Sequence, residues 1–378
     1  TMKRTLISMI IMLPALCYYS LAGQELPAGQ TSMSDTLPSM SDTLPNMSDT
    51  QTRMSDTQPS MSDTIALYPA TIVALHTRAG EVQALKLNYL DQLAHDGGTL
   101  LTHINGIAAI RKGGSYGFDP VLRGFKYDQL NVVMNGAQTA SAACPNRMDP
   151  PTSQMAPNMI QRIEVLKGPH ALRYGCSFGG TINFIPIPSR FSETDRVNGR
   201  LSGSYESNGN IIRSEGMLGI RNKWSELGLF LAWSEGDDYS SGDGNRVQAD
   251  FLRTSFGGNL GIKLSENQTI RLSATRNRAR DVDFAALPMD LREDDTWLIN
   301  LNHEASFRGR NLALWKTALY GSLVNHLMDN FDKPLDPRKV NAETLALTQN
   351  YGGRTEGSFR FKQARLYTGL DFRIESAE

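Results

Sequence analysis

The sequence predicts a small α+β domain followed by the first strands of an antiparallel transmembrane β-barrel that the chain leaves incomplete. Three observations carry this. From about residue 196 onward, long segments alternate apolar and polar side chains. Residues 76–190 mix short apolar strands with glycine-rich turns. No stretch past the N-terminus approaches the ~18 apolar residues of a membrane-crossing helix, so a membrane can be crossed only by strands closed into a barrel.

Composition narrows the function classes. The 378 residues carry 38 Lys and Arg against 39 Asp and Glu, so no basic field points to nucleic acid. The 33 Gly and 12 Tyr suit a turn-rich β protein. There is no His-Glu-x-x-His, no Gly-x-Ser-x-Gly elbow and no phosphate loop, which leaves an enzyme reading without a motif.

Along the chain, residues 1–22 read as a cleaved secretory signal rather than an anchor: Lys3 and Arg4, a short apolar core over 6–16 containing Pro14, then Ser20 and Ala22 as a small-x-small cleavage site. Cys17 follows Pro-Ala-Leu, unlike a lipoprotein signal. Cys144 and Cys176 would then reach an oxidising compartment, either paired or as free thiols. Residues 23–62 hold a heptapeptide repeat in which Met33, Met40, Met47, Met54 and Met61 each open the run Met-Ser-Asp-Thr. One apolar position per unit, with Pro38, Pro45 and Pro59, excludes a coiled coil and predicts a disordered arm. Two readings of the arm stay open: a flexible spacer, or a thioether array for a soft metal such as Cu(I).

Residues 63–75 contain two short extended apolar stretches, one with Asp63, Thr64 and Ile65 and one with Thr71, Ile72 and Val73. Such a segment either adds to a partner's sheet edge or begins the next domain. In residues 76–190, Leu85, Leu87, Leu90 and Leu93 suggest a short helix, with Gly97-Gly98 ending it or beginning the next turn. Strands are expected at Leu130, Val132 and Val133, closed by Asn135-Gly136, at 163–166, and at 181–185.

Residues 191–378 read as barrel strands with a greasy outside and a polar lumen. Leu201, Gly203 and Tyr205 oppose Arg200, Ser202, Ser204 and Glu206; Leu227, Leu229, Leu231 and Trp233 share one face; Ile270, Leu272 and Ala274 oppose Thr269, Arg271, Ser273, Thr275 and Asn277. About eight or nine strands fit, far short of a plugged barrel of about 22.

Here the residues support a family. RIEVLKGPHALRYG (162–175) followed by Gly179-Gly180-Thr181-Ile182-Asn183, together with PVLRGF (120–125), closely resembles the plug-domain signature of TonB-dependent outer-membrane receptors. The signature positions are Arg123, Gly124, Glu164, Lys167, Gly168, Pro169, Tyr174, Gly175, Gly179 and Gly180. Asn105-Gly106-Ile107 and Cys176 depart from the usual pattern. The resemblance implies an α+β plug over 76–190, a TonB box within 63–75, TonB and outer-membrane lipid as partners, and a Gram-negative outer-membrane location.

Within the family, Cys144-Pro145-Asn146-Arg147-Met148 and His326-Leu327-Met328-Asp329-Asn330 resemble the copper receptors, with PMDLREDDT (288–296) adding a weaker likeness. The resemblance implies copper as cargo, Cu(I) favoured, delivered free or by a carrier, and held by Cys144, Met148, His326 and Met328. Their chemistry agrees: thiolate and thioether prefer Cu(I) to hard cations, and His326 and Met328, two apart, share a face of a strand. Met155 and Met159 are read as packing. Two alternatives remain: a receptor for a ferric siderophore or other chelate, and a truncated periplasmic metal-binding module that never inserts.

Overall fold

The computed structural model describes residues 4–11, 82–88, 90–111, 113, 117–138, 143 and 150–378. The repeat arm, the 63–75 segment with Asp63, Thr64, Ile65, Thr71, Ile72 and Val73, and the pair Cys144 and Met148 lie outside the described residues. Of the expected signal, only a strand, Arg4–Ile11, is described, antiparallel to the final strand of the chain.

The plug begins with β1 (Val82–Lys86) and continues through α1 (Gly97–Leu101), β2 (Ile107–Ile110), β3 (Asp119–Leu122), β4 (Leu130–Met134), β5 (Ile160–Leu166) and β6 (Gly180–Pro186). Its main sheet runs β1-β5-β6-β4, with β4 and β6 parallel and the other pairs antiparallel. Leu100, Leu101, Leu122, Met155, Ile163, Ile182 and Phe184 fill the core between α1 and this sheet, all fully buried. Met155 is thus a packing residue, as its sequence context suggested.

The three strands expected from sequence are present, and Asn135-Gly136 closes the first of them with φ of 51° and 83°. The helix expected over 85–93 is absent. Leu85 instead sits on β1 opposite Ile163, and only a 3-10 turn at Asp91–Leu93 follows. The leucine spacing mimics a helix because it straddles a strand end and a turn; backbone pairing with β5, far along the chain, decides the conformation. Gly97 and Gly98 open a helix rather than ending one. Asp96 caps it, its Oδ1 accepting from Thr99 N at 2.8 Å. The glycines are needed for space: a Cβ on Gly98 would lie 2.2 Å from the Phe118 carbonyl oxygen, and one on Gly97 2.7 Å from Met155 Cβ.

Nine long antiparallel strands follow: β7 (Arg196–Glu206), β8 (Ile211–Arg221), β9 (Ser225–Gly236), β10 (Phe251–Ser265), β11 (Gln268–Val282), β12 (Asp290–Ser306), β13 (Leu312–Asp329), β14 (Glu343–Arg360) and β15 (Arg365–Ala377). Each pairs with the next, and the Arg4–Ile11 strand lies on β15. The sheet has β7 at one end and the Arg4–Ile11 strand at the other, so no closed barrel forms among the described residues.

The expected alternation is present. Val197, Ile220, Leu227, Leu260, Leu272, Leu301, Leu319, Gly353 and Phe372 are successive register partners across all nine strands. The eight side chains in this row are exposed, and Leu319 and Phe372 occupy the space beside Gly353. A continuous exposed apolar row is what a lipid-facing wall requires and what a water-facing sheet avoids. Among the described residues no helix is long and apolar enough to cross a membrane.

Candidate functional site

Connections at the two ends of the wall differ in length. The turns 222–224, 266–267, 307–311 and 361–364 are short, whereas 237–250 and 330–342, at the other end, are long. Long loops mark the outer end of a bacterial outer-membrane barrel. His326 and Met328 lie at that end.

On β13, Ala318, Tyr320, Ser322, Val324, His326 and Met328 are all buried, while Leu319, Leu323 and Asn325 are exposed. His326 and Met328 therefore share the inward face, as their spacing predicted. His326 is fully buried, its Nδ1 3.1 Å from Asp294 Oδ2 on the register partner strand. Met328 packs with Ile211, Phe251, Phe284 and Leu291, and with Met289 from the connection 283–289.

The plug meets this wall at a 3-10 turn, Pro151–Gln154, which begins next to the segment containing Cys144 and Met148. Arg253 donates to the carbonyls of Ser153 and His95, Asn277 Nδ2 donates to Gln154 O at 3.2 Å, and Gln154 Nε2 reaches Asp294 Oδ1 at 3.4 Å. On the other flank of that segment, Ala143 packs against Leu298 and Val324. Ala143, just before the 144–149 stretch, thus packs on His326's same-face neighbour Val324, and Gln154, in the turn that follows the stretch, reaches His326's hydrogen-bond partner Asp294.

The signature residues serve the plug itself and its lower attachment. Arg123 and Gly124 form a tight turn between β3 and the Phe125–Lys126 strand. Glu164 pairs with Arg162 at 2.8 Å, and Lys167 Nζ donates to Gln83 at 3.1 Å. Gly168 and Pro169 open, and Gly175 ends, a 3-10 segment that carries Tyr174. Gly179 fits against Phe125 and Leu130, and Gly180, at φ +134°, lets its backbone approach the Leu166 carbonyl.

Arg173, within the signature but not singled out from sequence, reaches out of the plug. It grips Glu356 on β14 with both ends of its fork, at 2.9 and 2.5 Å. Arg354 also binds Glu356, at 2.6 Å, and Asp371 at 3.0 Å. Both guanidiniums lie beside the Tyr174 ring, 5.0 and 4.9 Å from its centre. Burial pushes the Tyr174 phenol up to about 12, so it stays neutral. Cys176, one residue past Gly175, is exposed with a free thiol.

Above the site, Asp238, Asp250 and Asp283 bring carboxylate oxygens within 4.8 Å of one another. Burial, then the charges of Asp290 and Asp250, push Asp283 up to about 7. The folded state thus holds a proton that the unfolded state has lost above pH ~4. Stability from this junction is full below pH ~4 and declines as pH rises to about 7, then levels. Hydrogen exchange at Phe284 and Leu287, corrected for intrinsic rates, should show protection falling between pH 4 and 7. Asp283→Asn should flatten that profile; an unchanged slope in the variant would reject the assignment to Asp283.

A small α+β domain is thus seated, by its Pro151–Gln154 turn and by a buried ion cluster at Glu356, against an antiparallel wall with an exposed apolar row. Residues 77–181 match the TonB-dependent Receptor Plug Domain family. It is similar to the copper transporter OprC, with TM-score 0.70 and 29% identity over 78% of this chain and 46% of that one. The FrpB iron transporter from Neisseria meningitidis (F3-3 variant) aligns with TM-score 0.64 and 14% identity, over 79% and 49% of the two chains. The siderophore receptor PirA from Acinetobacter baumannii aligns with TM-score 0.59 and 12% identity, over 78% and 48%. At those identities the latter two show the fold alone. The chain spans about half the length of these structures. No curated protein sequence matches it.

Proposed function

We propose that this chain is the N-terminal part of an outer-membrane importer of copper energised by TonB. The observation that supports the cargo is that His326 and Met328 share one buried, inward face at the long-loop end, with Ala143 packed on Val324 and Gln154 reaching Asp294, the two neighbours of His326. Thiolate, two thioethers and an imidazole form a donor set suited to Cu(I). The 29% identity to the copper transporter OprC supports the same cargo. The siderophore alternative draws on likeness of fold only, at 12–14% identity. The unbroken exposed row from Val197 to Phe372 supports insertion in the outer membrane over a water-soluble periplasmic module.

In this reading, residues 1–22 direct export, 63–75 offer the strand that TonB pairs with, and the plug must shift to release the ion inward. The test is copper stoichiometry on the purified protein under reducing conditions, wild type against Cys144→Ala and Met328→Ala. Wild type should retain about one copper per chain and each variant well under half of that, as expected when a soft four-donor site loses a sulfur. Equal retention in all three would overturn the assignment.

A further inference from the structure

Asp294 stands out among the inward polar residues of β12. It is 3% exposed, and its neighbours His326 and Thr296 are fully buried. Each carboxylate oxygen is engaged. Oδ2 faces His326 Nδ1 at 3.1 Å; Oδ1 accepts from Thr296 Oγ1 at 2.9 Å and from Gln154 Nε2 of the plug at 3.4 Å. Among the described residues its ion-pair partner is His326 rather than an arginine or lysine.

A carboxylate only accepts, so the His326 nitrogen facing it must be the one that carries hydrogen. Nε2 then keeps its lone pair. The imidazole of a metal-binding histidine needs this arrangement: one nitrogen donating to a fixed acceptor, the other presented to the ion. The hydroxyl of Thr296 fixes the acceptor in turn, and strand pairing of Asp294 with His326 sets the distance between them.

We propose that Asp294 is a positioning residue of the copper site, holding His326 in the Nδ1–H tautomer and in one ring orientation. The inference rests on the copper reading above. It goes further in assigning a role to a residue that binds no metal itself.

The test uses Cu(I) competition against a chromogenic chelator, with copper K-edge absorption to read imidazole and sulfur scattering separately. Asp294→Asn keeps an accepting oxygen; Asp294→Leu has similar volume and none. The leucine variant should lose affinity about 10- to 100-fold, in the range seen when such partners are removed. Its imidazole scattering should weaken while the sulfur shell persists. The asparagine variant should keep the imidazole signature and lose less than about tenfold. Should the leucine variant fail to fold, Thr296→Val is read in its place and should show the same loss of signature at smaller size. Unchanged imidazole scattering in the leucine variant (or in Thr296→Val where it substitutes), or equal loss in leucine and asparagine variants, overturns the proposal. A wild-type protein that binds no copper, or binds it without imidazole, instead defeats the copper reading itself.

Discussion

Glu356→Ala is expected to loosen the plug from the wall by about 3–5 kcal/mol, the cost of removing one partner from a buried charge cluster. Glu356 is 4% exposed and receives two arginines, Arg173 from the plug and Arg354 from its own strand. Without it, Arg354 keeps Asp371, but Arg173 keeps no carboxylate partner among the described residues, and the two guanidiniums, both beside the Tyr174 ring, lose the anion they share. The loss therefore exceeds the worth of the bonds, because like charges are left in a poorly solvated place. Glu356→Gln should cost less, since the amide oxygen still accepts from one arginine. Urea unfolding in detergent, followed by protease access to the plug, measures both; a midpoint for the alanine variant equal to wild type would make the cluster a bystander.

The second large effect is expected at Gly98. An alanine there brings a Cβ to 2.2 Å from the Phe118 carbonyl oxygen, a backbone atom that cannot rotate away. Helix propensity favours alanine over glycine by about 0.5–1 kcal/mol, but overpacking against fixed atoms costs about 1–3 kcal/mol or more, so the clash wins. The consequence reaches further than stability. Phe118 O accepts from Thr152 Oγ1 at 2.8 Å, and Thr152 belongs to the turn whose Gln154 touches Asp294. Gly98→Ala should therefore both destabilise the plug and weaken copper retention, whereas Gly106→Ala, where a Cβ meets open space, should leave copper retention at the wild-type level despite its φ of +85°. Copper retention by Gly98→Ala equal to that of Gly106→Ala would disconnect the helix from the site.

Much of the wall was legible in the sequence because a strand's two faces follow from alternation alone. Leu201, Leu229 and Leu272 are exposed where their pattern places them, and Asn277 is buried on the opposite face. The inward pairing of His326 with Met328 was legible for the same reason. What alternation cannot give is which strand residue stands opposite which. Asp294 sits in the run Glu293-Asp294-Asp295, where its neighbours point outward to Arg278 and Arg276. Only the register that sets Asp294 against His326, past a bulge between Leu291 and Glu293, gives it a distinct role. Arg173 was hidden in the same way, since its partner Glu356 lies 183 residues away. The false helix over 85–93 arose from the same limit: local spacing spoke for a helix, and a distant strand overruled it.

The position of β1 bears on how the plug responds to a pull. It is the edge of its sheet, joined to β5 by five register pairs from Val82 with Leu166 to Lys86 with Arg162, and it is the first described strand of the plug along the chain. A load arriving along the chain ahead of residue 82 meets this seam first. Peeling it away frees one strand and the Lys167 to Gln83 contact, while β5, β6 and β4 remain paired and the clamps at Glu356 and Arg253 lie deeper along the path. Under the pull proposed above, the plug would act like a fused line, a short edge link parting before the joints that seat the domain.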